Sequence, residues 1–215
     1  MRVARQLVSG PWPGAVAAGG ALVVGAWLLG GGGIVLPPAP GAAQAMDGAT
    51  SAALLVPPRE RAVPTRIRIP AIGVDAPVTG LGLDGGGRLE PPAEKERNLA
   101  GWYREGITPG QRGTAIVAGH VDTAEGPAVF YRLGSLHKGD QVAVDGEDRG
   151  TGWFVVDAVE SFAKRDFPDT RVYGQGRDSQ LRLITCGGDY SAARGWEANV
   201  VVFAHLVRSA RGAAA

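Results

Sequence analysis

Arg182-Leu183-Ile184-Thr185-Cys186-Gly187-Gly188-Asp189 holds the only cysteine of the chain. Leu181, Leu183 and Thr185 alternate with Arg182 and Ile184, in residue types that suit an extended strand. The glycine pair that follows predicts a break. The sulfur is therefore expected at the C-terminal tip of a strand, where sheet gives way to loop and a nucleophile is held at a fixed angle. A lone cysteine makes no internal disulfide. In an exported protein it is a reactive thiol or an intermolecular partner, and otherwise a small buried hydrophobe. The Thr-Cys-Gly-Gly setting favours the reactive thiol.

A cysteine attacks as the thiolate and needs a base or a positive neighbour. Three histidines are available. His120 closes Ala115-Ile116-Val117-Ala118-Gly119-His120-Val121-Asp122, an apolar run broken by glycine near a strand end, and so mirrors the setting of Cys186. His137 sits in the polar Leu136-His137-Lys138-Gly139-Asp140, a surface turn. His205 lies within the strand-like Val200-Val201-Val202-Phe203-Ala204-His205-Leu206. Asp122 reads as a turn cap rather than as the orienting partner of His120.

The chain has 215 residues and a formal net charge of +1, with lysine and arginine scattered along it. That balance argues against a nucleic-acid partner. Residues 1–14 carry Arg2 and Arg5 and are expected on the cytoplasmic side. Residues 15–36 have no charge and are long enough for a transmembrane helix, an uncleaved anchor rather than a signal peptide cut near Ala43-Gln44-Ala45. Residues 37–64 are rich in proline, alanine and glycine and predict a disordered or partly extended tether. Residues 65–208 form the domain, and 209–215 a disordered tail. Within the domain, Arg66-Ile67-Arg68-Ile69-Pro70, residues 73–78, Leu99-Ala100-Gly101-Trp102-Tyr103, the His120 run, residues 141–145, 152–159, the Cys186 run and 200–207 all read as strands. Residues 129–133 suggest a short helix or turn, and 162–173 a longer loop. No long amphipathic helix follows the tether. The expectation is an all-β barrel or sandwich. No histidine or cysteine pair stands at metal-ligand spacing, and no cofactor is implied.

Leu183-Ile184-Thr185-Cys186 resembles the active-site strand of sortases, the cell-wall cysteine transpeptidases, and Gly119-His120-Val121-Asp122 resembles their histidine motif. Pro109-Gly110, Val129-Phe130-Tyr131-Arg132-Leu133, Lys138-Gly139-Asp140-Gln141-Val142 and Arg66-Ile67-Arg68-Ile69-Pro70 are similar to further stretches of that family, in its order. The resemblance covers about residues 65–208, and Cys-Gly-Gly resembles the actinobacterial class F group most. It implies an eight-stranded sortase-type β-barrel with short helices. It also implies cleavage of a Leu-Pro-x-Thr-Gly-like (LPXTG-like) signal on secreted proteins through a thioester on Cys186. The acyl group would then pass to an amine of the lipid II-type peptidoglycan precursor. His120 would serve as the proton donor to the leaving amine. The family also uses an arginine on the strand after the cysteine loop. The matching place here is near Asn199 and holds none, so the role is carried to Arg194, with Arg182 the weaker candidate. The alternatives are a catalytically silent barrel that binds wall peptides or a partner, and a hydrolase that gives the acyl group to water.

Overall fold

The computed structural model describes residues 36–46 and 56–211. The apolar run 15–36, Leu36 excepted, and the last four residues of the expected tail lie outside them. Among the described residues no helix is long and apolar enough to cross a membrane.

Among the described residues ten strands follow in chain order: β1 (Pro64–Ile69), β2 (Val74–Leu81), β3 (Ala100–Tyr103), β4 (Gly113–Gly119), β5 (Asp122–Thr123), β6 (Gly126–Pro127), β7 (Gln141–Gly146), β8 (Thr151–Ala163), β9 (Ser179–Ser191) and β10 (Gly195–Ala210). Eight of them close a barrel in the order β1-β2-β3-β4-β9-β10-β8-β7, while β5 and β6 form a separate two-stranded ribbon. Closure removes the exposed edges that an open sheet would present. Two neighbour pairs, β2 with β3 and β4 with β9, run parallel.

Side-chain parity sorts the apolar residues of the central strands into two cores. Ala115 and Val117 of β4, Leu181 and Leu183 of β9, and Val200 and Val202 of β10 point into the barrel, where they pack with Ile67, Phe130 and Phe154. Ile116 and Ala118, Ile184, and Val201 and Phe203 point outward and are covered by Val172 and Tyr173. This second core explains why β4 reads as a continuous apolar run: it is buried on both faces.

The cover comes from the segment expected to be a longer loop. Residues 162–173 are not loop throughout: β8 runs on to Ala163, a 3₁₀ turn spans Lys164–Asp166, and a short helix, α1, spans Asp169–Tyr173. Pro168 and Asp169 lead into α1, and its Val172 and Tyr173 are buried. A five-residue helix has no stability of its own; contact with the outer sheet face holds it.

The tether expectation also needs correction in part. In 36–46, a 3₁₀ turn spans Ala42–Gln44. The Tyr131 hydroxyl donates to the Leu36 carbonyl at 3.3 Å, and the Lys138 amide donates to Gln44 Oε1 at 2.8 Å. The Met46 amide reaches Glu160 Oε1 at 2.8 Å. Farther on, the Arg59 amide donates to the Gly110 carbonyl at 2.8 Å, and Ala62 is buried. Proline removes amide donors but leaves carbonyls and side chains free to dock, and the last tether residue, Pro64, already pairs with Gly146 as the start of β1. At the other end, Ser209 and Ala210 belong to β10 and pair with Gly152 and Thr151, so the first residues of the expected tail are ordered by the sheet.

On the outer face of β10, His205 Nδ1 meets Asp157 Oδ1 at 2.6 Å. The hydrogen bond to Asp157, with its charge, raises the His205 pKa, while burial opposes the rise. The folded value lies above the unfolded value of about 6.5. The pair's stabilisation is therefore complete below about pH 6.5 and fades as pH rises through the folded value. His205→Gln should cost on the order of 1 kcal/mol at pH 5.5. Its melting temperature should converge on the wild type's as pH is raised, as calorimetry across that range will show.

Candidate active site

The parallel register of β4 and β9 sets the site. Its last pair is Ala118 with Ile184. Two residues farther along each strand stand His120 and Cys186, on the outward face that Ala118 and Ile184 define. The Thr185 hydroxyl, buried, donates to the Gly119 carbonyl at 2.9 Å and clamps the two strand ends together immediately beside both residues. Thr185→Val keeps the shape and leaves that carbonyl without its donor. It should destabilise the protein by about 1–3 kcal/mol, read from a denaturant titration.

His120 and Cys186 both line one cleft of about 500 Å³, with Ile184, Tyr190 and Trp196 on its walls. His120 is 5% exposed. Its Nε2 lies 2.8 Å from the Pro92 carbonyl oxygen. A carbonyl only accepts, so Nε2 carries the hydrogen there, and in the neutral ring Nδ1 is the nitrogen able to take a proton. Pro92 belongs to the long connection between β2 and β3, which also supplies Glu90 and Glu94 to the cleft.

Cys186 is a free, partly exposed cysteine. Burial pushes its thiol up; the Lys164 ammonium pulls it back by charge and by a hydrogen bond, and the Asp122 carboxylate adds to the upward push. Asp122 does not serve as a simple turn cap. Its Oδ1 accepts the Trp196 indole N–H at 3.0 Å, which ties the β9–β10 hairpin to the ribbon beside His120.

The glycines act otherwise than the sequence suggests. Gly187-Gly188 does not end the strand: β9 continues to Ser191, paired with β10. Gly188 has φ +76°, and the register shifts between Trp196 and Ala198, so Gly188 and Asp189 make a bulge within a long hairpin. Cys186 therefore lies inside β9, opposite Asn199. A Cβ at Gly119 would fall 2.6 Å from the Phe130 ring, so the close packing of that ring requires glycine there.

Of the three residues expected at the site, the structure brings together His120 and Cys186 but not Arg194. Arg194 sits at the hairpin turn with its side chain 74% exposed and paired with Glu197 at 2.8 Å. Its neighbours Ala193 and Gly195 line the cleft, and Arg194 is not among the lining residues. Arg182 shares the outward face with Cys186 but is buried under Phe203, its guanidinium 4.5 Å from the ring, and donates to Gln180 Oε1 at 2.7 Å. Burial lowers its pKa to about 10. Two residues at the site were missed. Asn199, buried, lines the cleft on the strand beside the cysteine, and Lys164 Nζ lies 3.7 Å from Cys186 Sγ. The register of β10 could have signalled the first; nothing in the sequence around Lys164 signals the second.

The sequence model of the Sortase domain matches residues 67–207, more than half of the chain. No curated protein matches the chain at a significant level. Among solved structures, sortase A of Listeria monocytogenes aligns with a TM-score of 0.54 at 17% identity, covering 72% of this chain and 92% of that one. Sortase E1 of Streptomyces coelicolor, solved with a tripeptide in its active site, aligns with a TM-score of 0.51 at 18% identity over 70% and 91%. A lid mutant of Corynebacterium diphtheriae sortase A gives 0.52 at 23% identity over 70% and 73%. These likenesses speak for the fold; the family match, spanning the barrel from β1 into β10 with His120 and Cys186 inside it, shows that the chain belongs to the sortase family.

Proposed function

We propose that this protein is a membrane-anchored cysteine transpeptidase of the extracytoplasmic face. It cleaves an LPXTG-like sorting signal on secreted proteins between Thr and Gly, and transfers the acyl group to a peptidoglycan-precursor amine. The observation that carries the reading is the meeting of Cys186 and His120 in one cleft. In the first step the thiol proton passes to His120, the sulfur attacks the scissile carbonyl carbon, and a tetrahedral intermediate forms. The C–N bond then breaks, the leaving amine takes the proton from the imidazolium, and a thioester remains on Cys186. With Nε2 turned to Pro92, Nδ1 is the nitrogen that exchanges the proton. An incoming amine attacks the thioester in the reverse sense and regenerates the thiol. The apolar run 15–36, with Arg2 and Arg5 before it, supports an anchor with the N-terminus inside. Substrates and lipid-linked precursor would then meet the barrel at the outer membrane face.

Mass spectrometry after incubation with a Leu-Pro-x-Thr-Gly peptide tests this. An acyl adduct on Cys186, converted to a transfer product by a wall-stem amine, is the expected result. Free acid alone, with the amine ignored, would make the protein a hydrolase. Peptide binding with an unmodified Cys186 would make it a silent binding module.

A further inference from the structure

No lysine or arginine lines the cleft among the described residues, whereas Glu90, Glu94 and Asp122 do. A thiolate generated there meets the Asp122 carboxylate, and like charge disfavours it. Arg194 points to solvent with Glu197. The sheet supplies a different cation. Cys186 of β9 pairs with Asn199 of β10, and Asn199 pairs with Phe162 of β8. The three side chains thus form a row across neighbouring strands, all on the outward face. Lys164 stands two residues beyond Phe162, where β8 gives way to the 3₁₀ turn Lys164–Asp166. From there its side chain reaches across the row to the sulfur, and Nζ donates to Sγ at 3.7 Å.

We propose that Lys164 is a catalytic residue of this site, its ammonium holding the Cys186 thiolate. The groups around the sulfur give it that task. His120 from the end of β4 exchanges the proton; Asp122 from β5 opposes the thiolate by its charge; Glu90 and Glu94 of the β2–β3 connection and Tyr190 of β9 line the same cleft. Lys164 approaches from the β8 side and so leaves the cleft open for a peptide. The balance of the step is simple. The S–H proton goes to His120, the sulfur's electron pair forms the C–S bond, the C–N bond breaks, and the leaving nitrogen takes the proton back. Lys164 stays protonated throughout and neither gains nor loses a bond. It stabilises the anionic sulfur before attack and again as the thioester breaks.

This inference deepens the thioester reading and rests on it, so its test needs no sorting peptide. Iodoacetamide alkylation of Cys186 is followed against pH in the full-length protein, for wild type, Lys164→Met and Lys164→Arg, with melting temperature as the folding control. The midpoint for Lys164→Met should rise by about one pH unit, and Lys164→Arg should restore most of the shift. Should Lys164→Met melt early, Lys164→Gln serves as the second uncharged variant. An unmoved midpoint in the uncharged variants overturns the proposal, whatever happens to turnover. So does an equal shift in Lys164→Arg, which would trace the effect to packing rather than charge. If no sorting peptide is ever cleaved, the alkylation profile still reads the lysine, and the two failures stay distinct.

Discussion

Cys186→Ala should abolish turnover of a sorting peptide, a fall of at least about 10⁴-fold, while the barrel keeps its stability to within about 1 kcal/mol. The two halves of that result have separate causes. Chemically, the thioester has no other sulfur to form on, since the chain has one cysteine. Structurally, the side chain lies partly exposed in the cleft, so its loss removes little buried surface and leaves no sealed cavity. The backbone around it is held by partners that the substitution does not touch: the Thr185 hydroxyl on Gly119, and the pairing with Asn199. Peptide turnover measured beside a thermal melt checks both halves. Residual turnover near the wild-type level would remove the thiol from the chemistry.

His120→Gln comes second, with an expected loss of about 10²–10⁴-fold, the span of general acid–base catalysis. Glutamine retains an N–H able to donate to the Pro92 carbonyl, so the contact at 2.8 Å can survive the exchange. What it lacks is a nitrogen that takes a proton from sulfur and returns it to a leaving amine near neutral pH. The variant should therefore stay folded, and its Cys186 should still be alkylated by iodoacetamide, which separates it cleanly from Cys186→Ala. Full turnover in His120→Gln would mean that the proton travels by another route.

These expectations were partly legible in the sequence. The apolar runs ending at His120 and at Cys186 read as strands because β-branched and aliphatic residues crowd them. The strands proved to be β4 and β9, side by side and parallel. The barrel followed from short extended segments with turns between them and no long helix. The glycine pair after Cys186 misled, because a glycine at φ +76° serves a bulge as well as a terminator. Pairing with β10 supplied the hydrogen bonds that local sequence did not predict. The residues 162–173 misled for a related reason: a five-residue helix is too short for a periodic signal and exists because it covers Ile184 and Phe203.

By itself the sequence determined the strand-forming stretches, the single thiol and the histidine whose setting matches it, since each depends on residues within a few positions of one another. Tertiary structure alone decided that Lys164, 22 residues from Cys186 along the chain, meets its sulfur, and that Arg194 turns away to Glu197. Both outcomes follow from strand register across β8, β10 and β9 and from the geometry of one hairpin turn. Register is a long-range property: it is set by which side chains share a core, and no single window of the sequence carries it.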